Sequence, residues 1–425
     1  MAANNDAGRG AMAAGRGLDA LNFFLADVRG GLGPYLAVYL LTARQWNEAE
    51  IGIVMSISGI VGVLAQTPAG SLVDATHHKR AVLAAAACIV ALGALALVPF
   101  SSFAPVAASQ AMVGAAGAVF APAIAAISLG VFGHSVLSRR IGRNEAFNHA
   151  GNAVAASLAG ITGYFYGPIS VFVLLAVMAA ASLASVLIIP PDAIDHDRAR
   201  GLRDGETQHH DAPSDLRVLL TYRPLLIFGV CVALFHLANA AMLPLVGQKL
   251  ALMNRNQGTA LMSACIVGAQ LVMVPMAMLV GAKADDWGRK RLFAAGFLVL
   301  AVRGAMYPLS EDPVWLLGVQ LLDGVGAGLF GALFPLIVAD LTQGTGRYNV
   351  SLGAISACHG IGAALSTTLA GAVVVAAGYS AAFLSLAGVA ALGLVLFWLG
   401  MPETNEQGQE PAIPHAEPAP LPDGD

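Results

Sequence analysis

Gly70-Ser71-Leu72-Val73-Asp74, followed by Lys79-Arg80, recurs as Gly281-Ala282-Lys283-Ala284-Asp285, followed by Lys290-Arg291. The two copies lie 211 residues apart, and each closes one long apolar segment and precedes another. Other positions keep nearly the same offset. Gln110, Gly114 and Phe120 match Gln320, Gly324 and Phe330 at 210, His149 matches His359 at 210, and Leu158-Ala159-Gly160 matches Leu369-Ala370-Gly371 at 211. A period near half the chain means two similar halves, a common construction of polytopic membrane proteins.

Composition points the same way. The chain is 57% hydrophobic and 11% charged, with a mean hydropathy of +0.71, against about 25% charged residues in a soluble domain. Forty-eight glycines suit membrane helices, which pack closely through small residues. A net charge of −4 excludes a strongly basic nucleic-acid binder. Cys88, Cys231, Cys265 and Cys358 fall inside apolar segments without metal-ligand spacing and read as small buried thiols. His77-His78 and His209-His210 lack the companions of a metal site and read as solvated loop residues. No Gly-x-x-x-x-Gly-Lys-Ser/Thr loop occurs, so ATP-driven chemistry and a bound cofactor are not expected.

A helical span needs about 20 mostly apolar residues. Twelve such spans are expected: 20–41, 50–72, 80–99, 104–127, 144–164, 168–189, 222–246, 258–282, 291–309, 313–339, 348–373 and 378–400. The fold class is therefore all-α, with twelve transmembrane helices in two pseudo-symmetric six-helix halves, 20–189 and 222–400. Residues 1–19 are expected as a cytoplasmic tail, with no cleavable signal before the first span. Residues 190–221, rich in charge, are expected as a solvated linker, and 401–425, rich in Pro, Glu and Gln, as a disordered tail. Lys79, Arg80, Arg139, Arg140, Arg143, the linker arginines, Lys283, Arg289, Lys290, Arg291 and Arg347 fall on the side of the termini. Arg44, Lys249 and Arg255 fall on the other. The positive-inside rule then places both termini in the cytoplasm of a cell whose inner membrane the chain spans.

The repeated Gly-x-x-x-Asp loop after the second helix of each half, with its Lys-Arg pair, resembles the cytoplasmic loop motif of the major facilitator superfamily. Gly281-Ala-Lys-Ala-Asp285-Asp-Trp-Gly288-Arg289-Lys290 is the nearer copy. The resemblance covers the whole chain in helix count, linker and loop positions. It implies secondary transport by alternating access, with a small-molecule substrate in a cavity between the halves. Gly70 and Gly281 let helices approach. Asp74 and Asp285 can sit at the N-terminus of a neighbouring-half helix, worth about 0.3–1 kcal/mol. Lys79, Arg80, Arg289 and Lys290 can pair with acids, so the loops form a cytoplasmic gate. The first copy departs from the family pattern, with Ala75 where an Arg is usual and His77 where a Gly is usual. The Arg-x-x-Gln-Gly pattern of many proton-coupled exporters is replaced by Gln110-Ala-Met-Val113-Gly114, and the fifth-helix export pattern is present only as Gly163-x-x-x-Gly167-Pro168.

Charges at membrane depth are costly and face a cavity or a partner. Asp27 and Arg29, two residues apart on the first helix, point about 200° apart. Gly30, Gly31, Gly33 and Pro34 bend that helix beside them. Glu145, His149 and Asn152 share one face of the fifth helix, and His359 is the repeat mate of His149. Asp323 lies deep in the tenth helix, with Val113 as its mate, and His236 and Asn239 sit one turn apart in the seventh. Asp27, Arg29, His149, Asn152, His236, Asp323 and His359 are the candidates for substrate or proton handling. Arg303, near the outer end of the ninth helix, is expected to snorkel to the interface.

The expected activity is proton-coupled efflux of an amphipathic or toxic compound by a monomer in the bilayer. Proton-coupled uptake of a small polar or anionic solute is the alternative, with Arg29 in its favour. A membrane-embedded sensor or enzyme would need a nucleophile–base set, metal ligands or a soluble domain, none of which the sequence contains.

Overall fold

Peptide groups in lipid must find their hydrogen bonds within the chain, and helices do this span by span. The computed structural model describes residues 2–29, 32–100, 102–200, 222–254, 257–341 and 348–404, and no strand occurs among them. The first half contains α1 (Ala2–Arg29), α2 (Gly33–Arg44), α3 (Glu48–Ala75), α4 (Lys79–Ala96), α5 (Phe103–Gly117), α6 (Phe120–Phe132), α7 (His134–Tyr166) and α8 (Ser170–Ile188). The second contains α9 (Arg223–Asn239), α10 (Met242–Met253), α11 (Gly258–Trp287), α12 (Arg289–Met306), α13 (Pro313–Leu341) and α14 (Tyr348–Gly400). Nine helical stretches among the described residues are long and apolar enough to cross a membrane. The last, Ser351–Gly400, is two rods that meet at Gly378. The segments of the expected first and fifth spans, α1–α2 and α7, are helical but carry more charge.

The sequence repeat is a structural repeat. Gly167 and Gly378, at an offset of 211, both take a positive φ, +79° and +84°, and break the chain between the last two spans of each half. A Cβ at Gly114 would fall on the Ser58 carbonyl oxygen, and one at Gly324 on the Ala269 carbonyl. One at Gly151 would fall on the Phe23 carbonyl, and one at Gly362 on the Ala233 carbonyl. Each pair of contacts is one contact made twice, at offsets of 210 and 211. The buried apolar residues form two cores, one built mainly from the first half and one from the second. The interruptions also repeat. Pro34 follows the break between α1 and α2, and Pro244 follows the break between α9 and α10, at an offset of 210. Proline has no N–H to donate four residues back, so the ladder is interrupted at matching depth in both halves.

Three edges differ from the sequence reading. The chain before residue 20 is helical, and Ala14 and Leu18 are fully buried. Residues 191–200 form two 3₁₀ turns that keep Asp192, Asp195, Asp197 and Arg198 exposed but bury Ile194 and Ala199 and lay Asp195 N on the Gly130 carbonyl of α6 at 3.3 Å. At the other end Met401 is buried, and the Glu403 carboxylate accepts the backbone N–H groups of Arg289 (2.9 Å) and Lys290 (3.3 Å), capping α12. The rest of the expected linker, 201–221, and tail, 405–425, lies outside the described residues. The second Gly-x-x-x-Asp loop turns at Gly288 with φ +85°, whereas His77, its counterpart, keeps a negative φ. The family's usual glycine is therefore replaced where this chain takes a different turn.

Gly378 has φ +84° and ψ +170°, a region essentially restricted to glycine. Gly378→Ala is expected to cost about 1–3 kcal/mol, whereas Gly388→Ala, in open space within the helix, should be neutral or slightly stabilising. Thermal unfolding of the two variants in detergent checks this, and equal shifts would contradict it.

Candidate functional site

The two halves meet at the face away from the basic loops. Tyr35 of α2 and Ser263 of α11 share a hydrogen bond of 2.8 Å. Ser56 of α3 donates to the Ala364 carbonyl and sits 2.9 Å from Thr367 Oγ1 and 2.6 Å from Thr368 Oγ1. Tyr379 donates to Glu48 at 2.9 Å. Helices of the two halves approach closely at small residues: Gly52 on the Thr367 backbone, Gly59 on Ala364, Gly371 on the Glu48 backbone, and Gly160 and Gly163 on the side chains of Ser263 and Thr259. Every hydrogen bond between described residues that joins the halves lies at this far face.

The basic-loop face is different. Among the described residues, no atom of another element lies within 4 Å of a Cβ built on Gly70 or Gly281. Asp74 is exposed and makes no hydrogen bond or ion pair with a described residue. The side chain of Asp285 and residues 342–347, including Arg347, lie outside the described residues. Several contacts of the expected gate cations lie within their own halves. Lys79 Nζ caps the end of α3, donating to the carbonyls of Val73 (2.8 Å) and Thr76 (2.9 Å). Arg80 Nε donates to the Val186 carbonyl of α8 at 3.1 Å. Arg289 forms an ion pair with Asp340, and Lys290 stands 5.3 Å over the Trp398 ring. Arg140 and Arg143 pair with Asp19 at 2.6 and 2.7 Å, tying α7 to α1. Glu145, which could have met Arg140, accepts from Asn148 instead. Among the described residues, the hydrogen bonds between the halves thus gather at the far face.

Inside the spans, polar residues gather beside the two helix breaks. At the first, Arg29 Nη2 donates to Asn22 Oδ1 at 2.9 Å, and Asn22 donates to the Leu18 carbonyl at 2.8 Å. Asp27 does not pair with Arg29. Its Oδ2 is buried, as is Arg29 Nε, and neither has a hydrogen-bond partner among the described residues. At the second break His236 is buried and its Nδ1 lies 3.1 Å from the Val232 carbonyl. The rings of His236 and His359 stack with centroids 3.4 Å apart, and Phe330 meets His236 edge-on at 4.5 Å. His359 therefore pairs with the seventh span rather than with His149, which is exposed on α7; Asn152 is half-buried there. His236 makes no hydrogen bond to Asp323.

Asp323 belongs to a separate network. Arg303, 1% exposed, forms an ion pair with Asp323. Gln320 donates to Asp323 Oδ2 at 3.1 Å, Tyr307 donates to Gln320, and Arg303 Nε points at Met242 Sδ at 3.3 Å. The expectation that Arg303 snorkels to the interface is corrected here. Withdrawing it would leave a carboxylate without a countercharge in a low-dielectric interior, a cost of several kcal/mol. A signal was present: the repeat mates of Arg303 and Asp323 are Leu92 and Val113, so both charges are additions to the same half. Cys88 is also corrected, being exposed on the outside of α4; all four cysteines are free.

These features describe a polytopic helical bundle of two pseudo-symmetric halves, with polar residues at broken helices between them, as secondary transporters have. The Major Facilitator Superfamily family model matches residues 18–282 and 239–422, and the chain belongs to that superfamily of transporters, which are not enzymes. The chain is 57% identical over 389 residues to Rv2456c of Mycobacterium tuberculosis strain H37Rv, described as an uncharacterized MFS-type transporter, covering 92% of this chain and 93% of that one. It is 26% identical over 321 residues to a second such transporter of that strain, Rv0849, covering 72% of each. The fold is similar to crystal structures of a variant of the nucleoside transporter NupG (TM-score 0.77, 17% identity, 92% of this chain and 100% of that one) and of a D-xylose-proton symporter (TM-score 0.68, 12% identity, 93% and 98%).

Removing one member of a buried ion pair leaves the other uncompensated. Arg303→Met or Asp323→Leu alone is expected to lose about 3–5 kcal/mol, and the double variant to recover most of it. Thermal unfolding of the three variants is the check; a double variant no better than the worse single one would contradict the pairing.

Proposed function

We propose that the chain moves a small molecule across the inner membrane by alternating access, coupled to protons and directed outward, with an amphipathic or toxic compound as cargo. Both termini and the basic loops face the cytoplasm in this reading, so the hydrogen-bonded seam between the halves lies at the opposite face. A single chain supplies both halves, and a monomer suffices. The expected twelve spans and the division at 190–221 are part of the same proposal.

Asp27 is the observation that carries the coupling. Its buried Oδ2 lies beside the break between α1 and α2 without a hydrogen-bond partner, a position open to a transferable proton. Asp323, the other carboxylate at depth, is held by Arg303 and Gln320 and serves the fold rather than the proton. Stacked imidazoles at His236 and His359 repel once both are charged, which makes them a second titrating element. Phe235 and Phe330, stacked at 4.9 Å beside these rings, and the methionines of the seventh and eighth spans suit loose binding of an apolar ring or chain. Proton-coupled uptake of a small polar or anionic solute is the second reading. Arg29, whose Nε has no partner, favours it. The fold neighbours, a nucleoside transporter and a D-xylose-proton symporter, handle solutes of the polar kind.

Asp27→Asn is expected to abolish accumulation against a gradient while leaving exchange across the membrane partly intact. Asp323→Asn should act through stability. Accumulation in everted and right-side-out vesicles, with a proton gradient imposed, reads both coupling and direction. Undiminished, pH-dependent accumulation by Asp27→Asn would remove Asp27 as the coupling group. Accumulation only in right-side-out vesicles would replace export by uptake.

A further inference from the structure

A groove of about 560 Å³ runs between α12 and the last turns of α14 at the basic-loop end, lined by Ala294, Ala295, Leu298, Leu394, Trp398 and Leu399, with Arg291 at its rim. Its walls are apolar, and Leu298, Trp398 and Leu399 are exposed, as befits a surface that faces lipid. Lys290 stands beside Arg291, its ammonium 5.3 Å over the Trp398 ring.

The local charges leave these two cations available. Arg289 is paired with Asp340, Lys283 with Asp286, and Glu403 is engaged by the backbone N–H groups at the start of α12. Neither Lys290 nor Arg291 forms an ion pair with a described carboxylate.

The other half supplies an internal comparison. The repeat mates of Lys290 and Arg291 are Lys79 and Arg80, and those of Trp398 and Leu399 are Leu187 and Ile188. There the two basic side chains turn onto the chain. Lys79 is fully buried and bonds the end of α3, and Arg80 bonds the Val186 carbonyl. The same Lys-Arg pair is used for helix capping in one half and left at the mouth of an apolar groove in the other. An apolar trough with paired cations and a Trp at its rim matches a lipid: acyl chain below, phosphate above, indole at the headgroup boundary.

We infer that this groove is a binding site for an anionic phospholipid of the leaflet on the basic-loop side, its phosphate held by Lys290 and Arg291 and an acyl chain lying along Ala295, Leu298 and Leu394. The inference rests on the membrane fold alone and stands apart from the coupling proposed for Asp27. Bound there, the lipid braces α12 against the end of α14, next to the loop that must move when the gate latches.

Purified protein in detergent tests it by native mass spectrometry and thermal unfolding, with phosphatidylglycerol, phosphatidylcholine and inorganic phosphate as separate additions. Phosphatidylglycerol is expected to remain bound and to raise Tm, and the other two to do neither. K290Q/R291Q should weaken phosphatidylglycerol binding about tenfold or more, at about 1 kcal/mol per basic residue. Ala295→Trp, which fills the groove and keeps both charges, should weaken it as well. Equal binding of phosphatidylcholine, equal stabilisation by phosphate alone, or undiminished phosphatidylglycerol binding by either variant would overturn the assignment.

Discussion

The structure depends on close contact between helices of opposite halves, made among the described residues through small residues at the face away from the basic loops. Lipid tails are as apolar as the side chains they touch, so burial of apolar surface does not hold such halves together; close packing and hydrogen bonds must. Gly52, Gly59 and Gly371 bring α3 against α14, and Gly160 and Gly163 bring α7 against α11. Ser56, Thr367 and Thr368 add hydroxyl bonds along the first seam. Near the basic loops each half also makes contacts of its own: Lys79 onto α3, Arg80 onto α8, Arg289 onto Asp340. A bundle joined at one end by glycines and by hydrogen bonds can open there if equivalent contacts form at the other.

Within each half, charge is managed by a different rule. Every ion pair recorded inside the membrane part joins elements of one half, and Arg303–Asp323 is the deepest. Such pairs keep a half rigid while the seam between halves remains free to change. Asp27 and Arg29, beside the break between α1 and α2, form no ion pair with a described residue and each keeps a buried atom without a described hydrogen-bond partner, as do Gln270 and Arg303. Unsatisfied polar groups are where a membrane protein meets cargo or ions.

Much of the fold was legible because duplication writes it twice. The offset of 210–211 announced two halves, and the structure repeats it at Gly167 and Gly378 and at Gly114 and Gly324. What was hidden depends on which neighbour a side chain meets. Arg303 looked like an interfacial residue because its partner sits 20 positions on, in another helix. Lys79 looked like a gate cation, but a lysine just past a helix end can equally reach the last carbonyls. The stacking of His236 on His359 joins spans seven and eleven, and no local pattern encodes it. Pro244 was readable as the mate of Pro34 and marks the second break. Glu403 was invisible within a tail whose composition reads as disordered.

The central claim is that the two ends of the bundle open in alternation. Distances between paired spin labels in lipid nanodiscs test it most directly, one pair at Ser71 and Ala282 near the basic loops and one at Ala43 and Met253 at the far face, all four sites exposed and each pair related by the repeat. Across a titration from about pH 5 to about pH 8, where histidine changes charge, the account predicts two populations whose weights shift oppositely: as the Ser71–Ala282 distance shortens, the Ala43–Met253 distance lengthens. A single fixed distance for each pair at every pH, or both pairs lengthening together, would contradict it.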